Sequence, residues 1–208
     1  ASGNAGYIST FGLMARTTLG AQLTNEHRQL QLGLRALSID ELIRLFPMWD
    51  LSDPDSYERF VNACVLLIQQ RNRNSSTLAA RYYDRFQAVE LGAGASVASA
   101  TTLLPDPPSP AEVRRAIDAT ALAGARLSLS KGYTADQAMH NALVRVTGSV
   151  SRQVMNGGRD TIIEAVRRDR RAVGWARVTS GKPCAFCAML ASRGPVYKEQ
   201  TVGFQAHD

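Results

Sequence analysis

A mainly α fold is predicted for this chain of 208 residues: a long-helix bundle or spine with a small C-terminal α/β module that contains a cysteine pair. Three observations predict it. Tyr57, Phe60, Val61, Cys64, Val65 and Ile68 recur at helical spacing and make one apolar stripe. Ser109-Pro110-Ala111-Glu112 joins an N-cap, a first-turn proline and a reciprocal glutamate, which together mark a helix start. Beyond Arg171 the pattern changes to short alternating segments around Cys184 and Cys187.

The elements follow in order. Residues 1–23, rich in Gly, Ser and Thr with scattered Tyr7, Phe11, Leu13 and Met14, read as an arm. A helical region covers residues 24–91. Leu23, Leu30, Leu34 and Leu37 share a face, and Ser38 with Glu41 reads as a capping box that restarts a helix burying Ile39, Leu42, Ile43 and Phe46 until Pro47 stops it. After Asp53-Pro54 the apolar stripe runs on through Tyr82 and Phe86 to Val89, either as one helix or as two joined near Asn72 to Ser76. Residues 92–108, with Pro105, Pro107 and Pro108, read as an extended linker. A second helical region covers 109–171. Its first helix runs from Ser109 to Lys131 and Gly132, and its second is capped by Thr134 and Gln137. That second helix buries Met139, Ala142, Val146, Val150 and Val154 until Gly157-Gly158 interrupts it. Residues 172–208 form the tail module, with strands around Val173 to Val178 and at Val196-Tyr197.

Composition narrows the function classes. Apolar residues at 45% supply a core, and no run reaches the roughly 18 to 20 apolar residues of a membrane helix. Neither a membrane nor a small-molecule substrate is expected as a partner. Three cysteines exclude a disulfide framework. Residues 1–108 carry nine Arg against ten acidic residues and residues 109–208 carry fifteen Lys and Arg against eight, so the halves stand near −1 and +7. Such asymmetry fits an acidic partner of the second half, nucleic acid or protein, or a merely solvated basic face.

Chemistry concentrates in the tail. The Cys184-x-x-Cys187 spacing lets two thiolates meet one tetrahedral zinc, with His207 as a third ligand. Packing thiols and a redox pair are the other readings. His27 and His140 have no Cys or acid at ligand spacing and are assigned no role. Arg167, Arg168, Arg170, Arg171 and Arg177 are the best phosphate or partner contacts, since guanidinium forks hold phosphate oxygens in pairs; a salt-bridged protein interface and a solvated face remain open beside that. The stripe residues Tyr57, Phe60, Val61, Val65, Ile68, Tyr82 and Phe86 form the helix-packing interface, read as too long to be buried without a companion. Asp55, Glu58, Asp84 and Glu90 read as a solvated face. No hydrolase elbow or phosphate loop occurs, and no catalytic residue is assigned.

The stretch Arg177-Val-Thr-Ser-Gly-Lys-Pro-Cys184-Ala-Phe-Cys187-Ala-Met-Leu-Ala-Ser-Arg-Gly-Pro-Val-Tyr197, followed by His207-Asp208, resembles the MuF-like minor head proteins of tailed bacteriophages. Leu78-Ala-Ala-Arg-Tyr-Tyr-Asp-Arg-Phe86 is more loosely similar to their actinobacteriophage members. In that family further cysteines follow the histidine, so the module, and any structural zinc site in it, is expected to be cut short at Asp208. The resemblance implies a non-enzymatic minor capsid protein of the virion interior, attached to the portal after assembly in the host cytoplasm and aiding head morphogenesis and DNA packaging or ejection. Its implied partners are the portal protein, other copies of itself or the shell protein, and packaged DNA. A head maturation protease and an Arg-rich nucleic-acid-binding module are the alternatives.

Overall fold

The computed structural model describes residues 10–12, 15, 17–91, 102–169, 172, 176–178 and 189. In chain order they form β1 (Thr10–Gly12), α1 (Thr18–Leu45), a 3-10 turn (Phe46–Met48), α2 (Pro54–Leu91), α3 (Pro110–Ile117), a π-helical turn (Asp118–Leu122), α4 (Ala123–Ser130), α5 (Ala135–Arg168) and β2 (Ala176–Val178). The fold is mainly α, as expected.

The expected breaks inside the long helices do not occur, and each has a local reason. Ser38 does not cap a new helix: its hydroxyl donates to the Leu34 carbonyl, 2.8 Å away, and Glu41 instead accepts from Arg71 at 2.7 Å. A serine that bonds back to its own helix leaves α1 unbroken over 28 residues. Exposed Leu30, Leu37 and Ile43 show that the buried face of α1 is narrower than the leucine spacing suggests. Of the two readings left open for α2, the single helix holds: it runs over 38 residues with Asn72, Ser75 and Ser76 buried at its middle. Gly157 and Gly158 are buried within α5 and do not end it. Two glycines cost a helix roughly 2 kcal/mol relative to alanine, less than the burial of Val154 and Ile162 on the two sides returns.

Other signals match the structure. Ser109 accepts from the Glu112 amide while the Glu112 carboxylate accepts from the Ser109 amide, so the capping box is complete and Pro110 sits in the first turn. Thr134 and Gln137 cap α5 in the same reciprocal way, at 3.0 and 3.3 Å. Pro47 falls in the 3-10 turn that closes α1.

The expected C-terminal α/β cysteine module is corrected. The strand described in the tail is three residues long, and it pairs antiparallel with β1 from the N-terminal arm, with Thr10 opposite Val178 and Gly12 opposite Ala176. A strand needs a neighbour to satisfy its amides, and the arm provides one. Among the described residues, no group of three or more His, Cys, Asp or Glu is placed to hold a metal ion. Cys184, Cys187, His207 and Val196-Tyr197 lie outside the described residues.

The chain divides into two compact units, the first built from three segments and the second from two. The first comprises residues 1–31, 76–105 and 158–208. Its core is Leu23, Ala79, Tyr82, Tyr83, Phe86, Ile162 and Ala165, with Ala15, Val89 and Val166 packed against it. Thr17 precedes α1, and both its amide and its hydroxyl donate to Glu90, at 3.1 and 2.8 Å. Gly20 leaves room for this contact: a Cβ on it would lie 2.0 Å from the Glu90 carboxylate oxygen, and the glutamate tip would have to move aside. Glu90 and Asp84, which accepts from Thr102 at 2.7 Å, thus tie segments together rather than only face solvent.

The second unit comprises residues 32–75 and 106–157, with segment ends inside α1, α2 and α5. Phe46, Trp49, Tyr57 and Phe60 form an aromatic group with centroid separations of 5.0 to 6.4 Å. Ala138, Ala142, Val146, Val150 and Val154 make a fully buried ladder at i+4 spacing on α5. Ala138 takes the place expected for Met139, which is half-buried. Asn72 donates to the Gln153 carbonyl at 2.7 Å, and Gln69 to the Pro108 carbonyl at 3.0 Å, which holds the end of the Pro-rich stretch.

Candidate functional site

The stripe residues expected to meet a companion are covered by the chain itself. Tyr57, Phe60, Val61 and Ile68 are buried in the second unit, Tyr82 and Phe86 in the first, and only Val65 is half-buried. Cys64, on the same stripe, is fully buried, and burial pushes its thiol up to about 12, so it packs as a small apolar group rather than reacts.

The arginine cluster is partly spent within its own helix. Arg167 and Arg168, three and four residues after Glu164, both donate to it, at 3.0 and 2.5 Å. Their pull holds the Glu164 carboxyl below the usual carboxylate range. Both guanidiniums stay about half exposed, yet they share one counter-charge. The backbone of Arg177 pairs with Phe11 in the β ribbon, and Arg170 and Arg171 lie outside the described residues.

A charged network that sequence reading did not single out sits in the second unit, at the π-helical turn. The Tyr57 hydroxyl donates to Asp118 at 2.7 Å, and Arg114 grips Glu58 through both terminal nitrogens, Nη1 at 2.8 Å, while its Nε lies 3.8 Å from Asp118. Burial and then the Asp118 contact raise the Tyr57 hydroxyl above its ordinary range. The hydrogen bond from Arg114 lowers Glu58. The extra residue of a π turn re-aims the side chains after it, and here Asp118 opens the turn and reaches the start of α2. The arrangement clamps α3 to α2; the spacing of Glu58 and Arg114 along the chain gives no sign of it.

In the first unit, His27 and Tyr82 stack with centroids 4.5 Å apart and planes 10° from parallel. His27 is 5% exposed, its Nδ1 has no hydrogen-bond partner among the described residues, and burial lowers its pKa to about 4. Desolvation keeps the ring neutral at pH 7. It lines a shallow cleft of about 390 Å³ together with Leu23, Leu30, Leu78, Arg81 and Asp84. Glu26 and Arg85 pair at 3.2 Å on its edge. The residue assigned no role thus proves to be a core aromatic. The spacing Leu23, His27, Leu34 on α1 is the signal that places it.

With this geometry in place, comparison with known proteins gives two matches. The family model described as VG15 protein matches residues 19–208. The gene 15 protein of Mycobacterium phage D29 is 41% identical over 71 residues, which is 32% of this chain and 26% of that protein. The match therefore spans about a quarter of that relative's length. No solved structure matches.

Proposed function

The chain belongs to the VG15 protein family, and from that premise we propose that it is a phage virion protein: a minor head component held on the portal inside the capsid, which assists head assembly and DNA packaging or ejection. The observation that carries this reading is the family match over residues 19–208, which includes part or all of every segment of both compact units. The similarity to a protein of a mycobacteriophage and the resemblance of Arg177 to Tyr197 to MuF-like minor head proteins support it.

The geometry suits a docking role. Helices that bury their own stripes are rigid bodies, and exposed Leu37, Leu66 and Val144 offer apolar contacts on their outer faces. The partners are the portal protein, further copies of the chain or the shell protein, and packaged DNA. The thiolates of Cys184 and Cys187 with the His207 imidazole are a donor set that suits structural zinc, and metal content of the purified chain, with and without Cys184→Ser, tests that part.

The role is tested by removing the gene and examining purified heads. A few copies per portal in wild-type particles, and heads without the protein that have altered DNA content or lost infectivity, are expected. Heads that lack the protein yet show normal portal incorporation, DNA content and infectivity would refute it.

A further inference from the structure

The second unit carries a basic groove at the corner between α4 and α5, and we propose that it binds single-stranded nucleic acid, with Lys131 and Arg145 on backbone phosphates and Tyr133 stacked on a base. The site stands apart from the arginines at the end of α5 and does not depend on the virion role. The groove encloses about 240 Å³, and Leu127, Tyr133, Val144, Lys131, Arg145 and Asn141 line it. Its three apolar or aromatic side chains are 43 to 60% exposed, unusual company for two cations unless something covers them.

Electrostatics separates this place from the ion-paired arginines. Arg59, Arg71, Arg85, Arg114, Arg167 and Arg168 each sit against a carboxylate. Lys131 and Arg145 have no ion pair among the described residues, and no carboxylate lines the groove. Their charge is thus available to an anion. Part of the basic excess of residues 109–208 comes to the surface here beside an exposed aromatic ring, the stacking group that the arginine cluster lacks apart from Trp175.

The groove is built before any ligand arrives. At the end of α4 the Gly132 amide donates to Leu129 at 2.9 Å and the Tyr133 amide to Ser128 at 3.2 Å, with Gly132 at φ +82°. These paired bonds close the helix and fix where Tyr133 begins. Asn141 of α5 donates to the Ser128 hydroxyl at 3.3 Å, which itself donates to the Gly124 carbonyl at 3.0 Å, so the two walls are joined. Arg145 lies across bare Gly124: a Cβ there would come within 2.9 Å of its Cδ. An exposed aromatic ring beside two cations in one groove is the composition of a single-strand platform, where bases stack and phosphates pair. An acidic peptide would meet the charge but give the exposed Tyr133 ring no base to stack on.

The test is fluorescence anisotropy of the full chain with a labelled oligothymidine over a range of salt, with unlabelled oligothymidine, duplex DNA and polyglutamate as competitors. Salt-dependent binding is expected, with the single strand the best competitor. Lys131→Gln with Arg145→Gln should flatten the log–log salt slope by about 1.4, at about 0.7 per phosphate contact on a single strand. Tyr133→Ala should weaken binding roughly 5-fold to 150-fold, the equivalent of the usual cost per lost base stack, and Tyr133→Phe should keep it. Tyr133→Leu preserves an apolar contact at the helix end and should still lose binding, which covers the case in which the alanine variant melts. No binding, variants that bind like the wild type, or polyglutamate competing as well as the single strand would each overturn the proposal.

Discussion

Replacing Phe60 by alanine is the sharpest probe of how the long helices are satisfied. Phe60 is fully buried and lies 5.6 Å from Phe46, 5.9 Å from Trp49 and 6.4 Å from Tyr57 between ring centroids. Truncating a buried phenylalanine costs about 3 to 5 kcal/mol, the sum of lost transfer energy and the cavity left behind. Each well-placed ring pair adds about 0.5 to 1.5 kcal/mol beyond its area, so the upper half of that range is expected. For a chain of this size the loss lowers the melting temperature by roughly 8 to 20 °C. Urea unfolding followed by Trp49 fluorescence, in a Trp175→Phe background, measures it on the isolated chain. Leu66, two residues from Cys64 but 70% exposed, is the control, and Leu66→Ala should change stability by less than about 0.5 kcal/mol. A Phe60→Ala variant no less stable than Leu66→Ala would refute the self-buried stripe.

Three further outcomes follow from the same structure. Ser109→Ala removes the acceptor for the Glu112 amide at the start of α3 and should cost about 1 kcal/mol in urea unfolding, whereas Ser109→Asp, which still caps, should cost much less. His27 has a folded-state pKa near 4 against the ordinary 6.5, so below 6.5 the unfolded chain takes a proton that the folded chain refuses. Its stabilising effect is full above pH 6.5, falls as the pH drops and is gone by about pH 4, roughly 3 kcal/mol in all, and His27→Phe should flatten that stretch of the stability profile. Gly132→Ala forces a side chain into the left-handed region at φ +82° and should cost about 1 to 2 kcal/mol in thermal melts.

Local signals were the legible ones. Ser109 with Glu112, and Thr134 with Gln137, are read directly because a cap is made within four residues of chain. The ladder Ala142, Val146, Val150 and Val154 was equally plain, since a buried helix face is a spacing. What depended on distant partners was not. Ser38 and Glu41 look like a cap until Leu34 and Arg71 claim them, and Gly157-Gly158 looks like a break until tertiary burial outweighs the glycine penalty. The tail strand at Ala176 to Val178 announces itself by alternation, but nothing in that segment tells that Thr10 to Gly12 is its partner. Charge gave the same lesson: Arg167 and Arg168 are the most conspicuous cluster and share Glu164, while scattered Lys131 and Arg145 keep their charge. Reading Asp84 and Glu90 as solvated missed their hold on Thr102 and Thr17 for the same reason.

Hydrogen exchange on the isolated chain, at a concentration where sedimentation shows a monomer, tests most directly whether the chain completes its own core. The amides from Tyr57 to Ile68 and from Val146 to Val154 should be the slowest to exchange, close to the rate set by global unfolding. Rapid exchange of those segments in the monomer, slowed only when a partner is added, would contradict it.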